Sequence, residues 1–418
     1  MSNEMYIDDT NRRNMHSIQW ILLIGIVLGR YTELLCVLIV AYIILKIQKY
    51  QFKLSKIHVG LIIIFFLSFF LILSNGYKYD KFFQQAILLA IYIICYYQFF
   101  FFAKQQIPSL FNKYIQLMYV LCILGLIQFT VCLLFQIDIF PFTLDGYVEP
   151  KPQRIMRIHS ILAEAGNLGT CLVPVIAYVL LEKDYFKENK KKTITIVITY
   201  LLTFATISYV LLAIILLVKV YIKLRNAKYV LIGLMIFIIP YFIGIMTSNT
   251  EDATIENTDF LGMIQKKIVQ SLTFQNDITE PNDFESLNAS SYALLTNLWV
   301  SINAPSRLIG TGLGTHQENY YNTYSSSDYY LYGLNSQDAY SLLIRMFSEF
   351  GIIGLFIYFT FILRHFNPKN IINICVLFLL ISVLIRGGNY VIYGTIMFHF
   401  MYYYTSKHFY KSDKLEKT

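Results

Sequence analysis

The sequence predicts an all-α protein, a polytopic bundle of transmembrane helices with one large external loop. The chain has 418 residues, of which 56% are hydrophobic and only 14% charged, and its mean hydropathy is +0.53. Roughly a quarter of the residues of a soluble domain are charged. Several apolar runs also approach or exceed the length of about 20 residues that a membrane-spanning helix needs. Backbone groups in hydrocarbon must be hydrogen-bonded within their own segment, so runs of this kind favour helices.

We predict about twelve spans, arranged in three regions. Residues 1–247 hold the first nine spans and an external segment at 137–160, residues 248–338 form the large external loop, and residues 339–418 hold the last three spans and a tail. The predicted spans are residues 17–29, 33–47, 57–74, 82–102, 114–136, 161–181, 193–206, 208–222, 229–247, 339–363, 371–385 and 389–405. The seventh and eighth spans are short and are expected to form a tight hairpin.

The positive charges predict the orientation of these spans. If the N-terminus is cytoplasmic, 23 of the 34 Lys and Arg residues fall in cytoplasmic loops or termini. This matches the positive-inside rule and predicts that both termini are cytoplasmic. The net charge of +8 is therefore explained by topology and does not indicate a nucleic-acid partner. All six cysteines lie in apolar runs, and no metal-ligand spacing is present, so we predict no disulfide framework, metal or cofactor.

Polar residues gather at the ends of spans predicted to face outward. The first cluster is "PKPQRIMRIHSILAEAGNLG". If a helix begins near Arg154, then Arg154, Arg157 and Glu164 share one face and His159 points elsewhere. The alternative is an interfacial loop whose arginines meet lipid phosphates.

The second cluster opens the tenth predicted span. Asp338, Ser341, Arg345 and Glu349 follow a spacing that predicts one polar stripe down a helix. Charges inside a membrane are expensive, at roughly 2.5 to 3.5 kcal/mol each on insertion scales, and they commonly mark function. The alternative is a structural Arg345–Glu349 ion pair at i, i+4, and the two interpretations can coexist.

The third and fourth clusters flank this span. Gly310, Gly312 and Gly314 do not follow a strand of a βαβ unit, so they indicate a tight turn and not a nucleotide site. The tyrosines that follow are either an interfacial aromatic belt or sugar-stacking platforms. In "LIRGGNY", Arg386 is either a topology signal or a ligand.

Arginine suits a phosphate ligand, because its planar fork binds phosphate oxygens bidentately and keeps its charge. Arg157, Arg345 and Arg386 share the same predicted outer depth, although they are far apart in sequence. We therefore expect them to converge on one outward-facing cavity that accepts a membrane-bound phosphate substrate.

Two stretches resemble the family of O-antigen polymerases and ligases. "GTGLGT", a polar gap and "DAYSLLIRMFSEFGIIG" are similar to the family's Gly-x-Gly element and the motif that follows it, and "RIHSILAEAGNLG" resembles its Arg-x-x-Gly-x-x-x-Glu segment. Span count, loop positions and length also fit. The chain departs from the ligase pattern at residues 336–338, where ligases show His-Asn. Tyr209 and Tyr292 also stand where the family often has arginine.

The resemblance implies a GT-C-like glycosyltransferase of a bacterial inner membrane. Such an enzyme transfers a growing glycan from undecaprenyl pyrophosphate to a new lipid-linked repeat unit on the periplasmic side. Its partners would be these lipid-linked repeats, the bilayer and a chain-length regulator in the membrane. Asp338, Glu164 or His159 would accept the proton, and the leaving pyrophosphate would be held by Arg154, Arg157, Arg307, Arg345 and Arg386. An O-antigen ligase and a flippase of the same repeats remain the alternatives.

Overall fold

The computed structural model describes residues 9–47, 55–135, 137–140, 142–143, 146–147, 157–162, 164–224, 284–285 and 289–406. This part of the chain is helical apart from one two-residue hairpin, Phe142–Thr143 with Gly146–Tyr147. The helices are α1 Asp9–Val27, α2 Arg30–Ile47, α3 Lys56–Ser74, α4 Asp80–Ala103, α5 Ile107–Phe135, α6 Ala165–Leu181, α7 Tyr185–Glu188, α8 Lys190–Leu202, α9 Thr206–Leu224, α10 Ala289–Asn303, α11 His316–Thr323, α12 Leu342–His365, α13 Ile371–Ile385 and α14 Thr395–Tyr404.

Three helical stretches among the described residues are long and apolar enough to cross a membrane. They are α3, the continuous stretch Asp80–Phe135 formed by α4 and α5, and α12. Four shorter apolar helices accompany them, at Met15–Val27, Ala165–Leu181, Thr206–Tyr221 and Ile371–Ile385. The membrane-helix character predicted from composition is thus confirmed for the three long stretches. The ninth predicted span, 229–247, lies outside the described residues.

The centre of the bundle is α6, which packs against α13 and α9, while α2 packs against α1 and α4. Every residue of α6 from Leu168 to Ala177 is buried. A helix that protein encloses on all sides is expected to be apolar on all sides, as this one is. By contrast, α3 is peripheral, and Ile62, Phe66 and Phe70 on its outer face are exposed. These side chains have the composition of a surface that contacts hydrocarbon.

The connections agree with several sequence predictions. The seventh and eighth spans form the expected tight hairpin, α8 and α9, joined by residues 203–205. Within the predicted external loop, the stretch "SYALLTNLWVSI" lies in helix α10. The prediction that the tenth span begins at residue 339 is wrong, because Ala339 and Tyr340 have positive φ and the helix begins only at Leu342.

The Gly310–Gly314 turn fills a break in α12. Gly351 has φ 64° and ψ −166°, which interrupts the helix one residue after Phe350. The loop pairs the freed backbone groups on both sides of this break. Ile352 N donates to Arg307 O at 2.9 Å, and Gly312 N donates to Glu349 O at 2.8 Å. A broken helix is tolerated within a membrane where protein re-satisfies its backbone in this way.

The break divides α12 into a protein-enclosed half and a lipid-facing half. Arg345, Ser348, Glu349 and their apolar neighbours in the first half are buried. Beyond the break, Phe356 is 71% exposed and Leu363 is 76% exposed. The charges of this helix therefore lie where protein surrounds them, which lowers the cost that the sequence alone would assign to them.

Candidate functional site

Two adjoining cavities open at one end of the bundle. The larger has a volume of about 480 Å³ and is lined by the starts of α6 and α10, the segment before α12 and the end of α13. The smaller, of about 170 Å³, is lined by the start of α4, residues near α11 and the first half of α12. Asp338 and Asn389 line both cavities. On the topology predicted from the positive charges, these cavities would lie on the outer side of the membrane.

The larger cavity contains a cation and its counter-ion. Arg386, which follows the last residue of α13, lies 3.6 Å from the Glu164 carboxylate through its Nη2. Its guanidinium also lies 5.6 Å from the ring centre of Tyr340, over the ring face. A Cβ at Gly166 would come within 3.0 Å of this guanidinium, so the glycine makes room for it. Arg386 is thus held from several sides while remaining partly open to the cavity.

Arg157 lies close enough to Arg386 for the two guanidinium groups to influence each other. Burial lowers the pKa of Arg157 from its ordinary value, and repulsion from Arg386 lowers the pKa further, whereas Glu164 raises it. Its Nε donates to the carbonyl of Thr203 at 3.1 Å. Two arginines near one carboxylate leave a net positive charge, which favours an anionic ligand.

The helix predicted from Arg154 to Glu164 is wrong where the structure describes it. Residues 157–162 are irregular, Ile158 N donates to Leu202 O at 3.1 Å, and α6 begins only at Ala165. Hydrogen bonds from this segment to the α8–α9 hairpin replace the hydrogen bonds that it would make within a helix. Arg154 lies outside the described residues.

Asp338 stands between the two cavities, held by its own turn. Its Oδ1 accepts from Asn335 Nδ2 at 3.0 Å and from Tyr340 N at 3.1 Å. Among the described residues Oδ2 has no hydrogen-bond partner, so this oxygen is free to accept a proton. Asp338 does not cap α12: that position belongs to Ser341, whose hydroxyl accepts from Ile344 N. The stripe predicted from Asp338 onward therefore begins at Ser341.

Arg345 and Glu349 form the buried ion pair that the spacing predicts, with Nε 3.0 Å from Oε1 and both side chains almost fully buried. Arg345 further donates to Gly388 O at 2.9 Å and to Gln85 Oε1 at 2.5 Å. Its guanidinium covers the Tyr390 ring at 4.6 Å. The group borders the smaller cavity, but its hydrogen-bonding capacity is largely used within the protein. The structure therefore favours the structural interpretation of Arg345.

Two further predicted residues lie apart from the cavities. His159 is buried, with Nδ1 2.8 Å from Leu162 O and Nε2 3.2 Å from Asp138 Oδ2, so both ring nitrogens are engaged in anchoring the external segment. The side chain of Arg307 is exposed, and only its carbonyl takes part in the fold, at the break of α12. Neither residue lines either cavity, so the structure does not bring these two predicted residues together with Asp338 and Arg386.

Sequence reasoning missed an amide-rich wall and a tyrosine core. Five amide side chains line the smaller cavity: those of Gln84, Gln85, Gln317, Gln337 and Asn389. Tyr320, Tyr324 and Tyr332 pack ring against ring and enclose a small core with Val300. These tyrosines form neither a membrane belt nor an open stacking platform. The helical spacing of the tyrosines that follow α10 could have predicted such a core.

Comparison with known proteins adds no assignment. No family model, no curated protein and no solved structure matches this chain.

Proposed function

We propose that the protein is an O-antigen or related surface-polysaccharide polymerase, a twelve-span GT-C-like glycosyltransferase of a bacterial inner membrane. The proposal rests on the resemblance of the "GTGLGT" and "RIHSILAEAGNLG" stretches and on the chemistry of the cavities. One observation carries it. Asp338, whose Oδ2 accepts no hydrogen bond among the described residues, lines both the arginine-bearing cavity and the amide-rich cavity.

The proposed reaction needs a base and a group that stabilises the leaving pyrophosphate. A hydroxyl oxygen of the new repeat attacks the anomeric carbon of the growing glycan, and the bond from that carbon to the pyrophosphate oxygen breaks. The bonding electrons leave with the pyrophosphate, whose added charge is stabilised by Arg386 and Arg157. Asp338 takes the hydroxyl proton. Glu164, which is 65% exposed and paired with Arg386, positions the arginine in this scheme.

A flippase is the second candidate, because a broken helix is common in transporters. In transporters the unwound backbone lines a cavity and binds the substrate or a coupling ion. Here the backbone amides of Thr311 and Gly312 donate hydrogen bonds to the carbonyls before the break, and loop carbonyls accept hydrogen bonds from the amides beyond it. The break is therefore filled by the protein's own loop, which favours the enzyme over the transporter.

Deletion of the gene in its native strain tests the proposal. We expect the ladder of surface glycan to collapse to a single band of core plus one repeat, because transfer of one repeat does not need the polymerase. A ligase would instead lose all glycan from lipid A–core while polymer remained on the carrier. A flippase would leave single repeats on the cytoplasmic face. An unchanged ladder would exclude all three functions.

Arg386→Gln should reduce polymerisation by roughly 10- to 100-fold, since a hydrogen bond to a charged group contributes about 1.5 to 3 kcal/mol. The measurement is the rate of polymer formation from purified lipid-linked repeats at equal amounts of folded enzyme. Arg307→Gln is the matched control, because this arginine is exposed and borders neither cavity. Equal loss in both variants would mean that Arg386 does not act through the cavity.

Polymerisation should survive chelation of divalent ions. Arginines can supply the positive charge for which many transferases use a metal ion, and the larger cavity provides such a group in Arg386. We expect EDTA to leave the rate with purified lipid-linked repeats within about twofold. A rate that is lost in EDTA and restored by a divalent ion would contradict this expectation.

A further inference from the structure

The smaller cavity differs chemically from the larger one. Its wall holds five primary amides, each of which offers two N–H donors and a carbonyl acceptor. A phosphate group presents acceptors only, whereas a sugar hydroxyl both donates and accepts. Three of these amide side chains, those of Gln84, Gln317 and Gln337, make no hydrogen bond to another described side chain or backbone group. They are therefore available to a ligand.

The charges around the smaller cavity nearly cancel. Arg345 is neutralised by Glu349 at 3.0 Å and is further bonded to Gln85 and to the backbone. The remaining charged groups on the wall are Lys81 and Asp338, which have opposite signs. The wall would therefore attract a pyrophosphate only weakly, whereas binding of a neutral hydroxylated ring does not depend on the net charge of the wall.

Size and position agree with this chemistry. A volume of about 170 Å³ is below the range of roughly 300–1,000 Å³ for most small-molecule pockets, so the cavity suits one ring and not an oligosaccharide. The larger cavity, at about 480 Å³, falls inside that range. Asp338 lines both cavities, so a ring in the smaller cavity would lie beside this carboxylate.

We propose that the smaller cavity is the subsite for one neutral sugar ring of the incoming repeat, the ring whose hydroxyl is deprotonated by Asp338. This inference rests on the proposed polymerase function. Gln84, Gln317 and Gln337 hold the ring through its other hydroxyls, while the pyrophosphate of the donor occupies the larger cavity with Arg386. The amide wall thus selects the acceptor, and the arginine-bearing wall binds the donor.

The test uses two probes on the purified full-length protein. The first is the repeat oligosaccharide released from its carrier by mild acid, taken from the deletion strain, and the second is inorganic pyrophosphate. Dissociation constants are measured by calorimetry. Gln317→Leu and Gln337→Leu should each weaken oligosaccharide binding by roughly three- to tenfold, the effect of one lost hydrogen bond, and should leave pyrophosphate binding unchanged. Arg386→Gln should show the opposite pattern.

Gln105→Leu is the matched control, because Gln105 lies in the turn between α4 and α5, at the other end of the bundle. The inference is overturned if wild-type protein does not bind the oligosaccharide, if both Gln→Leu variants bind it as wild type does, or if they lose pyrophosphate as well. If gene deletion collapses the ladder and any of these binding results is obtained, only the subsite inference is overturned. If gene deletion leaves the ladder unchanged, both the proposed function and the subsite inference are overturned.

Discussion

Asp338→Asn should abolish the polymer ladder while the protein is expressed and inserted at normal levels. The asparagine keeps the side-chain oxygen that accepts from Asn335 and Tyr340, so the turn before α12 is retained. It cannot accept a proton, and loss of a general base typically lowers the rate by about 10²- to 10⁴-fold. The measurement is the glycan ladder in the complemented deletion strain, with protein quantified by immunoblot.

The control for this substitution is Asp184→Asn, in an aspartate that forms an exposed ion pair with Lys187 near α7. We expect wild-type ladders from it, because solvent screens an exposed pair of this kind and it contributes little to stability. Ladders of normal intensity from Asp338→Asn would refute its role as the base. Glu164, on the wall of the larger cavity, would then be the next residue to substitute.

Gly310→Ala should give little or no folded protein. The residue has φ +73°, a conformation that costs a non-glycine residue about 1 to 2 kcal/mol. A Cβ there would also meet the carbonyl of Glu349 in the break of α12. Overpacking of this type typically costs a further 1 to 3 kcal/mol. We expect a sharp fall in monodisperse yield and in the Tm of the detergent-solubilised protein.

Two other glycines separate the causes. Gly76 has a similar φ of +68°, but nothing lies within 4 Å of its added Cβ, so Gly76→Ala should incur only the conformational strain. Gly60 is helical and equally open, and Gly60→Ala should keep or slightly raise the Tm. A Tm for Gly310→Ala equal to that of Gly76→Ala would show that the close approach to α12 contributes nothing.

The fold could be predicted from the sequence where apolar length was the determining factor. The long runs of α3, α4, α5 and α12 are visible as hydropathy, and the Arg345–Glu349 pair follows from helical spacing. The break at Gly351 was not predictable in the same way. Glycines such as Gly351 and Gly354 are ordinary in an apolar run, and the break at Gly351 is accommodated by hydrogen bonds from a distant loop that the sequence pattern does not reveal.

The candidate site was predictable only in part, for a related reason. Arg157, Arg345 and Arg386 were grouped by their shared depth, because charge at a span end is a strong signal. The structure does not bring all three to one cavity: Arg386 lines the larger cavity, Arg345 lines the smaller one, and Arg157 lies near Arg386 without lining either. Arg307 and His159 shared that depth, but depth does not tell which side of a bundle a residue faces. The glutamines of the smaller cavity carried no signal at all, since neutral amides at helix ends are common and only packing brings α4 and α11 together.

The filled break in α12 has a consequence for biogenesis. The backbone amides of Ile352 and Ile353 depend on the carbonyls of Arg307 and Leu308, and each unpaired group in hydrocarbon costs several kcal/mol. The segment containing Arg307 is synthesised before α12 and, on the predicted topology, has to cross the membrane first. Stable release of α12 into lipid should therefore wait until the preceding segment has been translocated and has folded back onto the helix.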